Sequence, residues 1–129
     1  MECGTIEIAT ILNVAKASRE TASSLPSGWK LACVDAPVSG GPMGAQAGTL
    51  TFMAGADTAS NQDAQVFVRV KSKLLHVGKP KNVFWCGDIR AGTAFKIINN
   101  YLSAITSLDA SEALNIGTKM SLAPSSLQM

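Results

Sequence analysis

Asp35-Ala-Pro-Val-Ser-Gly-Gly-Pro-Met-Gly-Ala-Gln-Ala-Gly48, followed directly by Thr49-Leu-Thr-Phe-Met-Ala54, is the stretch on which the fold turns. Ahead of it, Trp29 to Asp35 is short, apolar and β-like. Behind it, Thr49 to Ala54 alternates Thr with Leu, Phe and Met and predicts a second strand. The four glycines and two prolines between them require a loop over Ala36 to Gly48.

Upstream, Ile8, Ile11, Leu12, Ala15 and Arg19 recur at helical spacing and predict a helix from Ile6 to Ser24, ended by Pro26, Ser27 and Gly28. Downstream, Gly55, Ala56 and Asp57 read as a turn. Thr58 to about Leu75 reads as a helix with Ala64, Val66, Phe67 and Val70 on its apolar face. Gly78, Pro80 and Asn82 mark a loop, Val83 to Cys86 a short strand, and Gly87 to Gly92 a further loop. From Thr93 to about Met120 no proline interrupts a helical segment whose apolar positions cover more than one face. Such a helix belongs in a core or an interface, and at ~1.5 Å per residue it spans roughly 40 Å. Helix and strand alternate and then give way to helix alone, which is an α/β pattern over 1–90 and the start of a helical piece over 91–129.

The composition narrows the function. The 129 residues suit one modest domain, and 47% hydrophobic with 16% charged residues is globular. A net charge of +2 and an aromatic content of 5% argue for neither nucleic acid nor an anionic membrane surface. No apolar run reaches the ~18 residues of a membrane span, and Met1-Glu2-Cys3-Gly4 lacks the start of a secretory signal. An intracellular protein is expected, cytoplasmic by default, or of the mitochondrial matrix if an N-terminal segment is missing. Cys3, Cys33 and Cys86 are widely spaced, so neither a disulfide nor a zinc site is expected, and no metal is called for. His76 is the only histidine, so neither a His-based metal cluster nor a Ser-His-Asp triad is expected within one chain.

Two constellations carry chemistry. In the first, Gly40 and Gly41 let backbone approach a ligand with no Cβ in the way. Successive N–H groups in such a turn can form an anion nest, and the Ser39 hydroxyl adds a donor or acceptor. That combination suits a carboxylate; a plain surface loop would read the same from composition. In the second, Gly92-Thr-Ala-Phe-Lys96-Ile-Ile-Asn99-Asn100, Lys96 and Asn100 lie one helical turn apart on one face. A lysine in the first turns of an apolar helix is partly desolvated. Desolvation disfavours an ammonium, as a general acid/base amine requires. A solvated polar stripe is the alternative.

These residues resemble a known family. Asp35-Ala-Pro-Val-Ser-Gly-Gly41, Gly44-Ala and Ala47-Gly-Thr-Leu-Thr51 look like the substrate loop of the β-hydroxyacid dehydrogenases of the 3-hydroxyisobutyrate dehydrogenase type. Gly92, Lys96, Asn99 and Asn100 resemble the catalytic helix of the same family. The 6-phosphogluconate dehydrogenases are close relatives, with a His-Asn pair where this chain has Asn99-Asn100. The resemblance implies the C-terminal part of a Rossmann-like NAD(P)-binding domain followed by a long helix that begins an all-helical domain. It implies NAD or NADP as cofactor, a small hydroxy acid as substrate, and a homo-oligomer in the full-length form. Lys96 would be the general acid/base and Asn100 its positioning partner. Ser39, Gly40, Gly41 and Asn99 would bind substrate, and Thr5 would lie near the nicotinamide.

The chain departs from the family's pattern in several respects, among them a linker region from Arg19 to Trp29 that looks longer and less regular than is typical. None of its glycine pairs has the spacing of GxGxxG, so the usual pyrophosphate cradle at a helix N-terminus is absent. By the resemblance, the first βαβ units and most of the helical domain lie outside these 129 residues. The expectation is a hydroxyacid dehydrogenase represented by a fragment; the alternative is a catalytically inactive derivative acting as a subunit or interaction module.

Overall fold

A computed structural model describes residues 1–27, 31–56 and 63–126, without the side chains of residues 63–65 and 124. Two compact units are present, Met1–Ile97 and Ile98–Met129. The first contains a four-stranded sheet. Its elements are α1 (Ile8–Ser23), β1 (Val34–Asp35), β2 (Val38–Ser39), α2 (Gly41–Gln46), β3 (Leu50–Ala56), α3 (Asp63–Leu74) and β4 (Gly78–Asp88). The helix α4 (Ala91–Lys119) begins in this unit and continues into the second, which ends in a short 3-10 turn at Pro124–Ser126.

β3 is the centre of the sheet. β1 and β2 pair antiparallel to it in one continuous register, Val34 opposite Ala56 through Ser39 opposite Thr51. Pro37 has no N–H and interrupts the strand, but its carbonyl still accepts from Met53 N–H at 3.1 Å. β4 pairs parallel on the other side, and α3 is the crossover that parallel neighbours require. Glu2 forms a parallel bridge with Asp35, joined to it through α1 in the same way.

Side chains alternate between the two faces of the sheet. Val34, Ala36, Phe52, Ala54 and Ala56 face one core, closed by Leu74 and Val83 with Val66, Phe67 and Val70 of α3 packed against it. Burying a side chain the size of Phe52 contributes roughly 1.5–3 kcal/mol. The Phe67 ring meets Trp85 edge-on at 5.1 Å between centroids, with the Lys71 amine 5.7 Å above Phe67. A smaller core of Ile11, Ala15 and Ile89, flanked by Ile6 and Cys33, seats α1.

Several expectations shift at their edges. The strand foreseen over Trp29 to Asp35 is a strand only at Val34–Asp35, and Trp29 lies outside the described residues. Gly55 and Ala56 extend β3 rather than turning, while Asp57 lies outside the described residues. The helix expected from Thr58 is described from Asp63, and 58–62 lie outside the described residues. The Ala36 to Gly48 loop contains β2 and the short α2. The loop at Gly78, Pro80 and Asn82 is an irregular first part of β4: its register slips between Gly78 and Val83, and the Asn82 side chain closes the slip by donating to the Thr49 carbonyl at 3.0 Å. Pro80 is tolerated there because a bulge needs no ladder donor.

Candidate active site

The loop after β2 is shaped by glycine. Gly40 has φ +129° and Gly41 φ +58°, both in the left-handed region. A Cβ on Gly40 would lie 3.1 Å from the Leu50 side chain, whereas one on Gly41 would meet open space. The turn runs into α2 with Gly44 N–H donating to the Gly40 carbonyl at 2.9 Å. Ser39 is half-buried at the end of β2, opposite Thr51 of β3.

α4 begins against the same strand. A Cβ on Gly92 would collide with the Met53 carbonyl and lie 3.1 Å from the Asp35 carbonyl; one on Gly55 would lie 2.6 Å from the Asp35 side chain. The two glycines therefore let the helix start lie directly on sheet backbone. Lys96 follows one turn later, 8% exposed. Ser39 stands opposite Thr51 and Gly92 touches Met53, two residues further along β3. One strand thus carries both the glycine turn and the start of the helix that bears Lys96.

The other expected residues are less tied together. Thr5 is exposed in the segment between the Glu2 bridge and α1. Asn99 and Asn100 are exposed and fall in the second unit.

Asp35, quoted in the sequence only as part of a motif, has a larger structural part. Its side chain is fully buried. Its Oδ1 accepts from Arg90 N–H at 3.1 Å and its Oδ2 from Thr93 N–H at 2.7 Å, capping α4 from a distant strand. The signal in sequence was an acid inside an apolar strand, because a buried carboxylate must be partnered. Thr93 Oγ1 is buried with no hydrogen-bond partner among the described residues. Burial pushes the Cys86 thiol up from its ordinary value, and the Asp35 charge adds to the effect. Burial also raises the Cys3 thiol, opposed by the N-terminal charge and reinforced by Glu2.

An apolar cavity of about 370 Å³ on the α3 side is lined by Leu31, Val34, Val66, Arg69, Val70 and Lys73, and holds none of these site residues. Among the described residues no cluster of His, Cys, Asp or Glu could hold a metal ion, no disulfide joins the cysteines, and no helix is long and apolar enough to cross a membrane.

β3 pairs antiparallel with β1 and β2 on one side and parallel with β4 on the other, β1 carries the parallel Glu2 bridge, and a long helix capped by the Asp35 carboxylate follows the sheet. Residues 1–87 match the family model of the NAD binding domain of 6-phosphogluconate dehydrogenase, and the chain belongs to that family. Within it, the chain is similar to 3-hydroxyisobutyrate dehydrogenase of Pseudomonas aeruginosa, 38% identical over 98% of this chain and 37% of the relative. It is similar also to 2-(hydroxymethyl)glutarate dehydrogenase of Eubacterium barkeri, 44% identical over 74% of this chain and 29% of the relative. The structure superposes on Mycobacterium tuberculosis 3-hydroxyisobutyrate dehydrogenase with L-serine at a TM-score of 0.68, 28% identical over 92% of this chain and 35% of that one. The chain therefore spans about a third of the length of these proteins. The fold is Rossmann-type with a long C-terminal helix, as expected.

Proposed function

We propose that this chain is the part of an NAD(P)-dependent hydroxyacid dehydrogenase that grips the substrate's carboxylate and moves its hydroxyl proton. The carrying observation is that β3 holds the Ser39–Gly41 turn and the start of the Lys96 helix two residues apart. The Ser39 hydroxyl and the turn's N–H groups are hydrogen-bond donors suited to a carboxylate. The amine of Lys96, a residue only 8% exposed, takes the substrate's hydroxyl proton as the carbon–hydrogen bond breaks, and returns it in the reverse reaction. Asn100 positions the substrate beside that amine, and Asn99 adds a polar group on the substrate side. When bound, NAD or NADP would supply the hydride acceptor for that carbon.

The cofactor's fit to these residues is partial. Thr5 is accessible for the nicotinamide end. No GxG spacing exists to cradle a pyrophosphate, and α1 is preceded at its N-cap by the acidic Glu7, which disfavours a phosphate there. The pyrophosphate would be held by residues other than these. The substrate class is a small hydroxy acid, and the full-length form is a homo-oligomer inside the cell. A second reading, a catalytically silent interaction module, draws on the exposed apolar side chains Tyr101, Leu102 and Ile116 of α4.

The test is turnover of a small hydroxy acid by the protein carrying its complete cofactor site. Lys96→Ala should lower kcat by several orders of magnitude with cofactor affinity nearly unchanged, and Ser39→Ala should raise KM for the acid. Turnover barely changed by Lys96→Ala removes the lysine from the mechanism.

A further inference from the structure

We infer that Asp35 is a positioning residue for Lys96, acting through the first turn of α4; the inference rests on the reading of Lys96 as the acid/base group. Three observations meet at this junction. The buried Asp35 side chain accepts from two α4-start N–H groups, 3.1 Å to Arg90 and 2.7 Å to Thr93. Arg90 has φ +87°, a conformation that a non-glycine residue keeps only where its surroundings hold it. Gly92 and Gly55 bring helix and sheet backbone into direct contact, so the helix start has little room to slide.

A local N-cap would satisfy the same donors without fixing α4 to anything. A carboxylate on a strand paired with Gly55 ties the helix's rotational phase to the sheet, and that sheet also carries the Ser39 turn. Side-chain ends lie about 5–6 Å from a helix axis, so a 20° turn of α4, taken as an order-of-magnitude slip, moves the Lys96 amine by about 2 Å. A 1 Å misplacement can reduce turnover about a hundredfold. Asp35 therefore sets where the amine stands relative to the bound acid, without touching the acid itself.

The experiment compares Asp35→Asn, which turns one acceptor into a donor facing an N–H, with Thr93→Pro, which removes a donor at a first-turn position where proline is tolerated. Thr93→Pro keeps the test open if Asp35→Asn does not fold. Amide exchange in the 129-residue chain should rise at least tenfold at Arg90, and at Thr93 in Asp35→Asn, with Phe52 and Ala54 of β3 unchanged. The acylation rate of Lys96 should change several-fold. In the protein with its complete cofactor site, kcat should fall about a hundredfold with KM for the cofactor unchanged. Unchanged exchange and unchanged Lys96 reactivity in both variants overturn the inference, as does altered exchange with kcat intact. If instead Lys96→Ala leaves turnover intact, the reading of Lys96 fails, while exchange and acylation still report whether Asp35 sets the helix.

Discussion

Replacing Gly92 by alanine should be among the most damaging single-methyl additions in the chain. The new Cβ would land on the Met53 carbonyl and 3.1 Å from that of Asp35. Both are sheet backbone, and Met53 is itself bonded to Pro37 at 3.1 Å, so neither can swing aside. A carbon atom needs about 3.5 Å from such neighbours, so the start of α4 must retreat by more than ~1 Å. The Arg90 and Thr93 N–H groups, now 3.1 and 2.7 Å from Asp35, would pass the limit of useful hydrogen bonding. Bonds to a charged group are worth about 1.5–3 kcal/mol each, so losing two costs roughly 3–6 kcal/mol. A whole domain is stable by only about 5–15 kcal/mol. Urea unfolding followed by tryptophan fluorescence measures this, with Gly41→Ala as the comparison. Gly41 has φ +58° and open space around it, so its alanine variant should lose only the ~1–2 kcal/mol of a left-handed alanine. A Gly92→Ala loss no larger than that of Gly41→Ala refutes the picture of a helix start pressed onto the strand.

Calorimetric titration of the 129-residue chain with NAD and NADP should show no binding in the micromolar range, because phosphate contacts at a glycine-rich helix N-terminus carry much of dinucleotide recognition; micromolar affinity would show that cradle to be dispensable. The Cys3 and Cys86 thiols, raised by burial, should alkylate more slowly in the folded than in the unfolded chain near pH ~8. Above the ordinary thiol range, ~8.5, the folded chain holds these protons longer than the unfolded chain does, so stability should decline as pH rises from there. Equal alkylation rates, or stability flat above that range, would contradict the burial of both thiols.

The elements that could be read in the sequence were those whose pattern is local. α1 follows apolar spacing, α4 is a long apolar segment that no proline interrupts, and Leu50 to Ala54 alternates as a strand should. β4 was underread because its first residues contain Pro80 and a register slip, and only the distant Thr49 carbonyl shows that Asn82 belongs to a strand. The short β2 inside the glycine loop depends on pairing with Thr51 and Phe52, which no local pattern announces. At the site, Lys96 and the Ser39 turn stood out by residue type. The capping by Asp35 did not, since its partners lie more than fifty residues away and are backbone groups of unremarkable residues. The multi-sided apolar character of α4 was read as that of a helix in a core or an interface, and Phe95, Tyr101 and Leu102 are more than half exposed in this chain.

Isotope-labelled protein carrying its complete cofactor site, titrated with a small hydroxy acid in the presence of nicotinamide cofactor, offers the plainest view of whether one such acid is held from both sides. Magnetic resonance should show the Ser39, Gly40 and Gly41 amides and the Lys96 side-chain signals moving together along one saturation curve. Movement at the turn with the Lys96 signals still, or the reverse, would mean that the two do not share a ligand.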